Sequence, residues 1–251
     1  MKALVVLALI VLFVLVHLIK LMRLYLIVME QNVMFERFVP AYFRTTFANL
    51  LIPYKLGEIY RIGVLSRITG SFKVGFFSTL VDRFFDTLSL VLIILPYRLL
   101  TSGKVTLPIV LLFAFLVITI LFYVLYPSTY RYLNRFIIMN RTSPRSMTAL
   151  KWLEGIHEWY EYVRQLITGR YGLLIIFSFV AWIMEFGVLA LVSKLLGQNF
   201  DIQAFTDYIS GILGGSGGRL NYVYTLSAAA VILFATIVSL IVYAMKKKKA
   251  N

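Results

Sequence analysis

The sequence predicts an all-α, polytopic membrane helix bundle, and its composition is the first observation that supports this fold class. Hydrophobic residues make up 61% of the 251 residues and charged residues only 14%, whereas a soluble domain carries about 25% charged residues. Five apolar runs are each long enough to cross a hydrocarbon core, which takes about 20 residues as a helix. Most basic residues lie between these runs. This pattern excludes an ordinary soluble enzyme and a disordered chain, and it indicates a single integral membrane domain over residues 1–251.

The five predicted spans differ in the charges that they contain. The first has no acidic residue, and no small-residue cleavage site follows its basic end at Lys20, so we interpret it as an uncleaved span. The second carries Asp82, Arg83 and Asp86 near its start, and the fourth contains Glu185. The third and fifth hold no charge. In chain order the predicted spans cover residues 3–22, 76–97, 105–126, 171–193 and 222–245.

Two long connections between the spans contain helices of a different kind. In residues 38–70, Pro53 and Gly57 interrupt a helical pattern that is too short on either side to cross alone. We expect a re-entrant helical hairpin or two interfacial helices there. Residues 150–168 form an amphipathic helix whose apolar face includes aromatic side chains. This face suits either the headgroup boundary or packing against the protein's own helices.

The distribution of basic residues predicts how the chain is oriented. With five spans, the side that holds both long connections and the C-terminus carries 17 Lys and Arg residues, against five on the other side. The positive-inside rule then places the C-terminus in the cytoplasm and the protein in the cell membrane. The net charge of +14 is interpreted as attraction to anionic lipid headgroups, and a nucleic-acid partner is not expected.

The rare residue types limit the chemistry that we expect. The chain has no cysteine, which excludes disulfides, thiol catalysis and thiolate metal sites. Its two histidines, His17 and His157, are far apart in sequence. We therefore expect no metal site and no cofactor.

Charged residues inside the predicted spans are the first candidates for function, because charge is costly at membrane depth. Asp82 and Asp86 are four residues apart and share a helix face, and Arg83 can pair with Asp86. The alternative is a local salt bridge at a helix end in the headgroup region. Glu185 lies deep in the fourth span and must be protonated or paired. It is either a cavity group or a structural tie between helices.

Three further polar residues, His17, Lys20 and Arg23, follow one another at a spacing of three along the first span. Lysine and arginine near a helix end can extend toward the headgroups while their stems stay in hydrocarbon. We interpret this stripe as ordinary anchoring of the helix.

The densest group of candidate residues surrounds the helix break between residues 49 and 61. Proline ends the first helix, and Gly57 permits a close approach of the backbone. Lys55 and Arg61 are suited to contact a phosphate, and the positive end of the helix that starts at Glu58 adds to the field.

This pattern, together with the charged group in the second span, resembles a motif of the flippase-like integral membrane domain that is also called the lysylphosphatidylglycerol synthase transmembrane region. The residues that carry the resemblance are Asn49, Pro53, Lys55, Gly57, Glu58, Arg61, Asp82, Arg83 and Asp86, and later Trp182 with Glu185. The resemblance implies a role in moving a lipid or a lipid-linked headgroup between leaflets, with Pro53 and Gly57 as a structural hinge. The residues that the resemblance assigns to the substrate site are Arg44, Asn49, Lys55, Glu58, Arg61, Asp82, Arg83, Asp86 and Glu185.

The favoured hypothesis is therefore translocation of a phospholipid or a lipid-linked headgroup through a polar groove. Its substrates would be membrane lipids with phosphate-bearing headgroups. Two alternatives stay open: a lipid-modifying interfacial enzyme with Asp82 and Asp86 as its carboxylate pair, and a membrane scaffold for a lipid or glycan synthase. The sequence favours a protein that is not an enzyme, since it has no histidine, nucleophile motif or metal cluster near that pair. A second copy of the chain is a further candidate partner.

Overall fold

The protein is an all-α membrane helix bundle in a computed structural model that describes residues 2–31, 33–52, 56–101, 107–140, 144–214 and 218–250. Every regular element in these ranges is helical. A short 3₁₀ turn, Met29–Gln31, follows the first helix. The α-helices, in chain order, are α1 Lys2–Val28, α2 Phe35–Leu51, α3 Gly57–Thr69, α4 Phe72–Thr101, α5 Leu107–Asn140, α6 Pro144–Ile167, α7 Tyr171–Leu195, α8 Ile202–Gly214 and α9 Arg219–Ala250.

Four helices in the described ranges, α1, α5, α7 and α9, are long and apolar enough to cross a membrane. The second predicted span lies within α4, which is 30 residues long, or about 45 Å at 1.5 Å per residue. This helix is long enough to cross, but it carries the acidic and basic cluster at Asp82 to Asp86. Its crossing, and the count of five spans, stay predictions.

Two helical features extend beyond the sequence-based expectation. The third predicted span ended at residue 126, whereas α5 continues through Pro127 to Asn140. Helix α8 was not predicted at all. It begins after Asp201, whose carboxylate accepts a hydrogen bond of 2.7 Å from the backbone N–H of Ala204 and so caps the first turn.

The buried apolar residues form two clusters at opposite ends of the bundle. The first apolar cluster joins the N-terminal half of α1 to the C-terminal halves of α4 and α7, to α8 and to the start of α9; it includes Phe13, Ile94 and Val188. The second apolar cluster joins the C-terminal half of α1 to α2, α3, α6 and the starts of α4 and α7; it includes Leu24 and Leu174. Between the two clusters, α1, α4 and α7 all carry polar side chains.

Helices α2 and α3 form a hairpin whose two outer ends lie in the same apolar cluster. Phe38 near the start of α2 and Leu65 near the end of α3 are both buried in the second apolar cluster. At the other end of the hairpin, the amide of Asn49 donates a hydrogen bond of 2.6 Å to the carboxylate of Glu58. The hairpin therefore enters the bundle from one end and turns at the level of the polar side chains. Its position relative to a bilayer stays a prediction.

The amphipathic helix divides its apolar face between protein and surroundings. In α6, Leu166 is fully buried in the second apolar cluster, and the ring of Trp159 packs edge-on against Phe77 at 5.8 Å. Trp152, one end of the same face, is 72% exposed. The C-terminal turns of α6 therefore pack on the protein's own helices, whereas its N-terminal turns expose Trp152. A position of these turns at the headgroup boundary stays a prediction.

Candidate functional site

Arg23 of α1 lies at the centre of a charged layer between the two apolar clusters. Its Nε donates a hydrogen bond of 2.8 Å to Asp82, and its Nη1 donates to Asp86 at 2.9 Å and to the hydroxyl of Ser178 at 2.9 Å. Asp82 and Asp86 lie on α4, one helical turn apart, and Ser178 lies on α7. One guanidinium thus links three helices. Its side chain is only 1% exposed, so these contacts replace its hydration.

Two more arginines surround the same carboxylates. Arg83 donates to Asp82 at 2.8 Å and to Asp86 at 3.2 Å. Arg61, which α3 brings to the tip of the hairpin, lies 3.5 Å from Asp82 and 3.4 Å from Glu58. Glu58 also lies 3.5 Å from the Nε of Arg83. The hairpin tip is therefore joined to α4 by ion pairs.

A separate ion pair, between Lys20 of α1 and Glu185 of α7, extends the layer. The Lys20 ammonium donates to Glu185 at 2.7 Å and lies 5.6 Å from the ring centre of Trp182. The indole N–H of Trp182 donates to the backbone carbonyl of Asp86 at 3.0 Å. Lys20 contacts Glu185, whereas Arg23, which comes later in α1, contacts Ser178, which comes earlier in α7. Helices α1 and α7 therefore run antiparallel. Glu185 is therefore a tie between helices, as one of the two sequence-based interpretations proposed.

The charged layer is balanced in charge and uneven in burial. It contains four basic side chains, Lys20, Arg23, Arg61 and Arg83, and four acidic ones, Glu58, Asp82, Asp86 and Glu185. Its inner part is sealed, with Arg23 and Asp82 exposed by 1% and 2%. Its outer part is accessible, since the side chains of Arg83 and Lys20 are 29% and 21% exposed. A polar group that approaches from outside would meet the outer part first.

Several buried polar atoms of this layer lack a hydrogen-bond partner among the described residues. They cluster at the hairpin tip, where Asn49 Oδ1, Glu58 Oε2, Arg61 Nε and Arg83 Nε make no hydrogen bond to a described residue. Glu58 Oε2 and Arg83 Nε still have ion-pair contacts, at 3.4 Å with Arg61 and at 3.5 Å with Glu58 Oε1. Polar atoms that lack a hydrogen bond inside a protein are costly, so these atoms are candidates for contact with a polar group of a substrate. In the described part of the chain, no three His, Asp or Glu side chains are grouped to hold a metal ion.

The structure brings most of the predicted site residues together. Glu58, Arg61, Asp82, Arg83 and Asp86 are in direct contact through the ion pairs above. Asn49 joins them through Glu58, and Glu185 joins the layer through Lys20. Their role in binding a substrate stays a prediction.

Among the predicted residues that the structure describes, Arg44 stands apart from this group. The side chain of Arg44 is exposed on α2, and its guanidinium carbon lies 5.8 Å from the ring centre of Tyr60. Lys55 and the hinge residue Pro53 lie outside the described residues. Arg44 therefore belongs to the surface of the hairpin, away from the charged layer.

The sequence-based interpretation of the first helix as a simply anchored span was wrong for Arg23. This side chain is buried at the centre of the layer, and its neighbour Lys20 pairs with Glu185. A usable signal was present: the spacing of three between Lys20 and Arg23 places them on one helix face, and two other predicted spans contain acidic residues that could pair with them. Ser178 carried no such signal, because one hydroxyl in an apolar helix is common.

Gly57 allows the hairpin to close, and Gly57→Ala is expected to open its tip. An added Cβ would collide with the backbone Cα of Asn49 and lie 2.9 Å from its backbone nitrogen. Relief of such a backbone clash costs about 1–3 kcal/mol. Thermal unfolding of the purified protein measures this loss. Gly63→Ala is the matched control on the same helix, since nothing lies within 4 Å of its added Cβ. Equal melting temperatures for the two variants would contradict the close contact.

Comparison with known proteins assigns the chain to a membrane protein family. The family model described as the lysylphosphatidylglycerol synthase TM region matches residues 1–243. No curated protein and no solved structure was found to match the chain. The matched region contains the hairpin, the charged layer and most of α9, so the match includes every residue of the candidate site. The chain therefore belongs to the family of lysylphosphatidylglycerol synthase TM regions and is an integral membrane protein.

Proposed function

We propose that the protein moves a phospholipid or a lipid-linked headgroup between the leaflets of the membrane. The observation that carries this proposal is the charged layer, in which four basic and four acidic side chains meet between two apolar clusters. Such groups at membrane depth are expensive and are typical of substrate pathways. A headgroup with a phosphate cannot cross hydrocarbon without groups that replace its water.

The outer part of the layer is suited to bind such a headgroup. Arg83 is partly exposed, and its Nε–H has only a long contact of 3.5 Å with Glu58. Behind it, the buried Arg61 has an Nε–H without a hydrogen-bond partner among the described residues. Arginine binds phosphate with directed, charge-assisted hydrogen bonds. Beside these two arginines, Glu58 Oε2 and Asn49 Oδ1 accept no hydrogen bond among the described residues, and they would accept one from an amine or hydroxyl on the same headgroup.

The inner part of the layer would hold the arginine side chains in position to bind a headgroup. Arg23 has both carboxylates of α4 as partners, and these carboxylates also contact Arg83. A phosphate that reached Arg83 would compete with Asp82 and Asp86 for the same guanidinium. Because the layer is neutral overall, exchange of one partner for another avoids leaving a bare charge in a medium of low dielectric constant. This exchange is the proposed mechanism of passage.

The contact between α9 and the start of the hairpin supports an orientation. The C-terminal end of α9 lies beside the start of the hairpin, where Lys246 pairs with Glu36. The long basic connections are therefore at one end of the bundle, and we place this end in the cytoplasm, in the cell membrane, by the positive-inside rule. The proposed substrates are membrane lipids with phosphate-bearing headgroups. A lipid or glycan synthase and a second copy of the chain are proposed as further partners.

One of the two alternatives has a structural observation in its favour. Helix α5 has 34 residues, or about 51 Å, while a bilayer with its headgroups is about 40–45 Å thick. Its distal end exposes Tyr132, Phe136 and Met139, which would support docking of a synthase. The enzyme alternative is less favoured, because arginines hold Asp82 and Asp86 in ion pairs, whereas a general acid needs a carboxyl group that keeps its proton.

Reconstitution of the purified protein in vesicles tests the proposal. Fluorescent anionic, cationic and polyprenyl-phosphate lipids are placed in the vesicles, and their exposure in the outer leaflet is followed. We expect faster exposure than in empty vesicles for at least one lipid, and a loss in Arg61→Ala that is absent in Arg67→Ala, an exposed arginine on the same helix. Chemical conversion of the lipid would favour the enzyme. Neither activity, together with co-purification of a synthase, would favour the scaffold.

A further inference from the structure

A long apolar groove on α9 lies outside the charged layer and has no role in the mechanism above. It has a volume of about 790 Å³ and runs between α9, α1 and α2. Ile10, Val14, Phe43 and Phe234 are among its walls. At one end, Glu36 and Lys246 form an ion pair of 2.5 Å. The volume lies in the range of about 300–1,000 Å³ that is usual for ligand sites.

The length of the groove is informative about its occupant. Its lining residues on α9 extend from Ala230 to Lys246, which is about 24 Å at 1.5 Å per residue. The hydrocarbon part of one leaflet is about 15 Å thick, which is half of the usual hydrocarbon core. A phospholipid tail that stays within its leaflet would leave much of the groove empty. A single chain longer than a leaflet would fill it.

The polar end of the groove is basic. Arg37 follows Glu36 in sequence, Lys247 and Lys248 follow Lys246, and all of these side chains are exposed. Among the described residues that line the groove, Glu36 is the one acidic side chain. An exposed ion pair such as Glu36–Lys246 contributes little energy, so an anionic headgroup can replace the carboxylate. Charge at this end therefore favours a phosphate.

We propose that this groove binds a polyprenyl phosphate, with its single long chain along α9 and its phosphate at Lys246. The proposal rests on the proposed function, for which it names the substrate class. Because lipid tails are as apolar as the groove, the chain gains little from burial alone. Selectivity comes from the match in length and from the phosphate at the basic end.

The groove is connected to the charged layer through α2. On one face of this helix, Val39 and Phe43 line the groove. On another, Thr46 accepts a hydrogen bond of 3.4 Å from Arg61, and Asn49 contacts Glu58. A lipid held in the groove therefore lies one helix away from the arginines that would receive its headgroup. The groove is the docking position, and the charged layer is the passage.

Photolabelling of the full-length protein in phosphatidylcholine vesicles tests the proposal. The probe is a polyprenyl monophosphate with a photoreactive group in its chain, and labelled peptides are mapped by mass spectrometry. We expect labels on residues 230–246 and 35–43, competed by unlabelled polyprenyl phosphate about tenfold better than by phosphatidylglycerol. Ala235→Trp, which fills the groove, should lower labelling about tenfold. Leu240→Trp, an exposed position on α9 outside the groove, should leave it unchanged.

The labelling experiment has separate controls for the folding of each variant and for transport. Size-exclusion chromatography verifies each variant, and Ser239→Phe, also in the groove, replaces Ala235→Trp if that variant does not fold. Three results would overturn the proposal. They are equal competition by phosphatidylglycerol, labelling that is unchanged in both groove variants, and crosslinks between the α9 helices of two copies. Because labelling requires no transport, normal labelling without lipid exposure would overturn the proposed function and leave the groove assignment intact.

Discussion

Arg23→Met is expected to lower the melting temperature of the purified protein by roughly 6–20 °C. The substitution leaves Asp82 and Asp86 buried with fewer partners and removes the hydrogen bond to Ser178. Loss of one member of a buried ion pair costs about 3–5 kcal/mol. For a chain of this size, each kcal/mol corresponds to about 2–4 °C. Methionine fills most of the volume, so the loss reports on charge more than on packing. Tryptophan fluorescence during heating measures it.

Two further variants isolate the contribution of the ion pairs around Arg23. Arg67→Met removes an exposed arginine from α3 and should change the melting temperature by less than a few degrees. In the double variant Arg23→Met with Asp86→Asn, a neutral amide replaces one of the two carboxylates that lose Arg23 as a partner. The loss of stability in this double variant should therefore be smaller than the sum of the two single losses. Additive losses, or equal effects at positions 23 and 67, would contradict the central position of Arg23.

The second large effect is expected at the Lys20–Glu185 pair, which joins α1 to α7. Glu185→Lys places two ammonium groups where one pair of 2.7 Å now stands, and Lys20→Glu places two carboxylates there. The side chain of Glu185 is only 6% exposed, so solvent screens this repulsion weakly. We expect each single variant to lose at least about 3–5 kcal/mol of stability, or to fail to accumulate in the membrane.

The double exchange, Lys20→Glu with Glu185→Lys, is the matching rescue. It restores opposite charges across the α1–α7 contact, although the two chains differ in length. We expect it to recover at least half of the stability that either single variant loses, measured by thermal unfolding in detergent. A double variant no more stable than the worse single variant would show that the pair has no net attraction in the folded protein.

The sequence predicted the elements that depend on local patterns. Apolar runs of about 20 residues gave the helices of the membrane bundle, because length and hydropathy alone decide what can cross hydrocarbon. The break around Gly57 predicted either a re-entrant hairpin or two interfacial helices, and α2 and α3 are joined at their tip by the contact of Asn49 with Glu58. The close approach of Gly57 to Asn49 is the reason for a glycine there. Glu58, Arg61 and Asp82 were grouped through their resemblance to a family motif, and the structure brings them into contact.

The parts that the sequence did not predict depend on contacts between distant helices. Arg23 and Asp82 are 59 residues apart, and no local pattern states which helix faces which. Helix α8 is short and begins at a cap, Asp201, that a reading based on 20-residue spans does not detect. The extension of α5 beyond Pro127 was missed because proline usually ends a helix in water, whereas membrane helices tolerate it.

The charge of Asp86 provides the most direct measurement of the central claim, which is that the charged layer carries a lipid headgroup. Asp86→Asn keeps the shape of the side chain and removes its charge from the contacts with Arg23 and Arg83. In the proposed exchange, the Asp86 carboxylate must take the guanidinium back when the phosphate leaves. A charge-assisted hydrogen bond contributes about 1.5–3 kcal/mol, so its loss at this step should lower the initial rate of lipid exposure in vesicles roughly tenfold or more. An unchanged rate in a folded Asp86→Asn protein would contradict the claim.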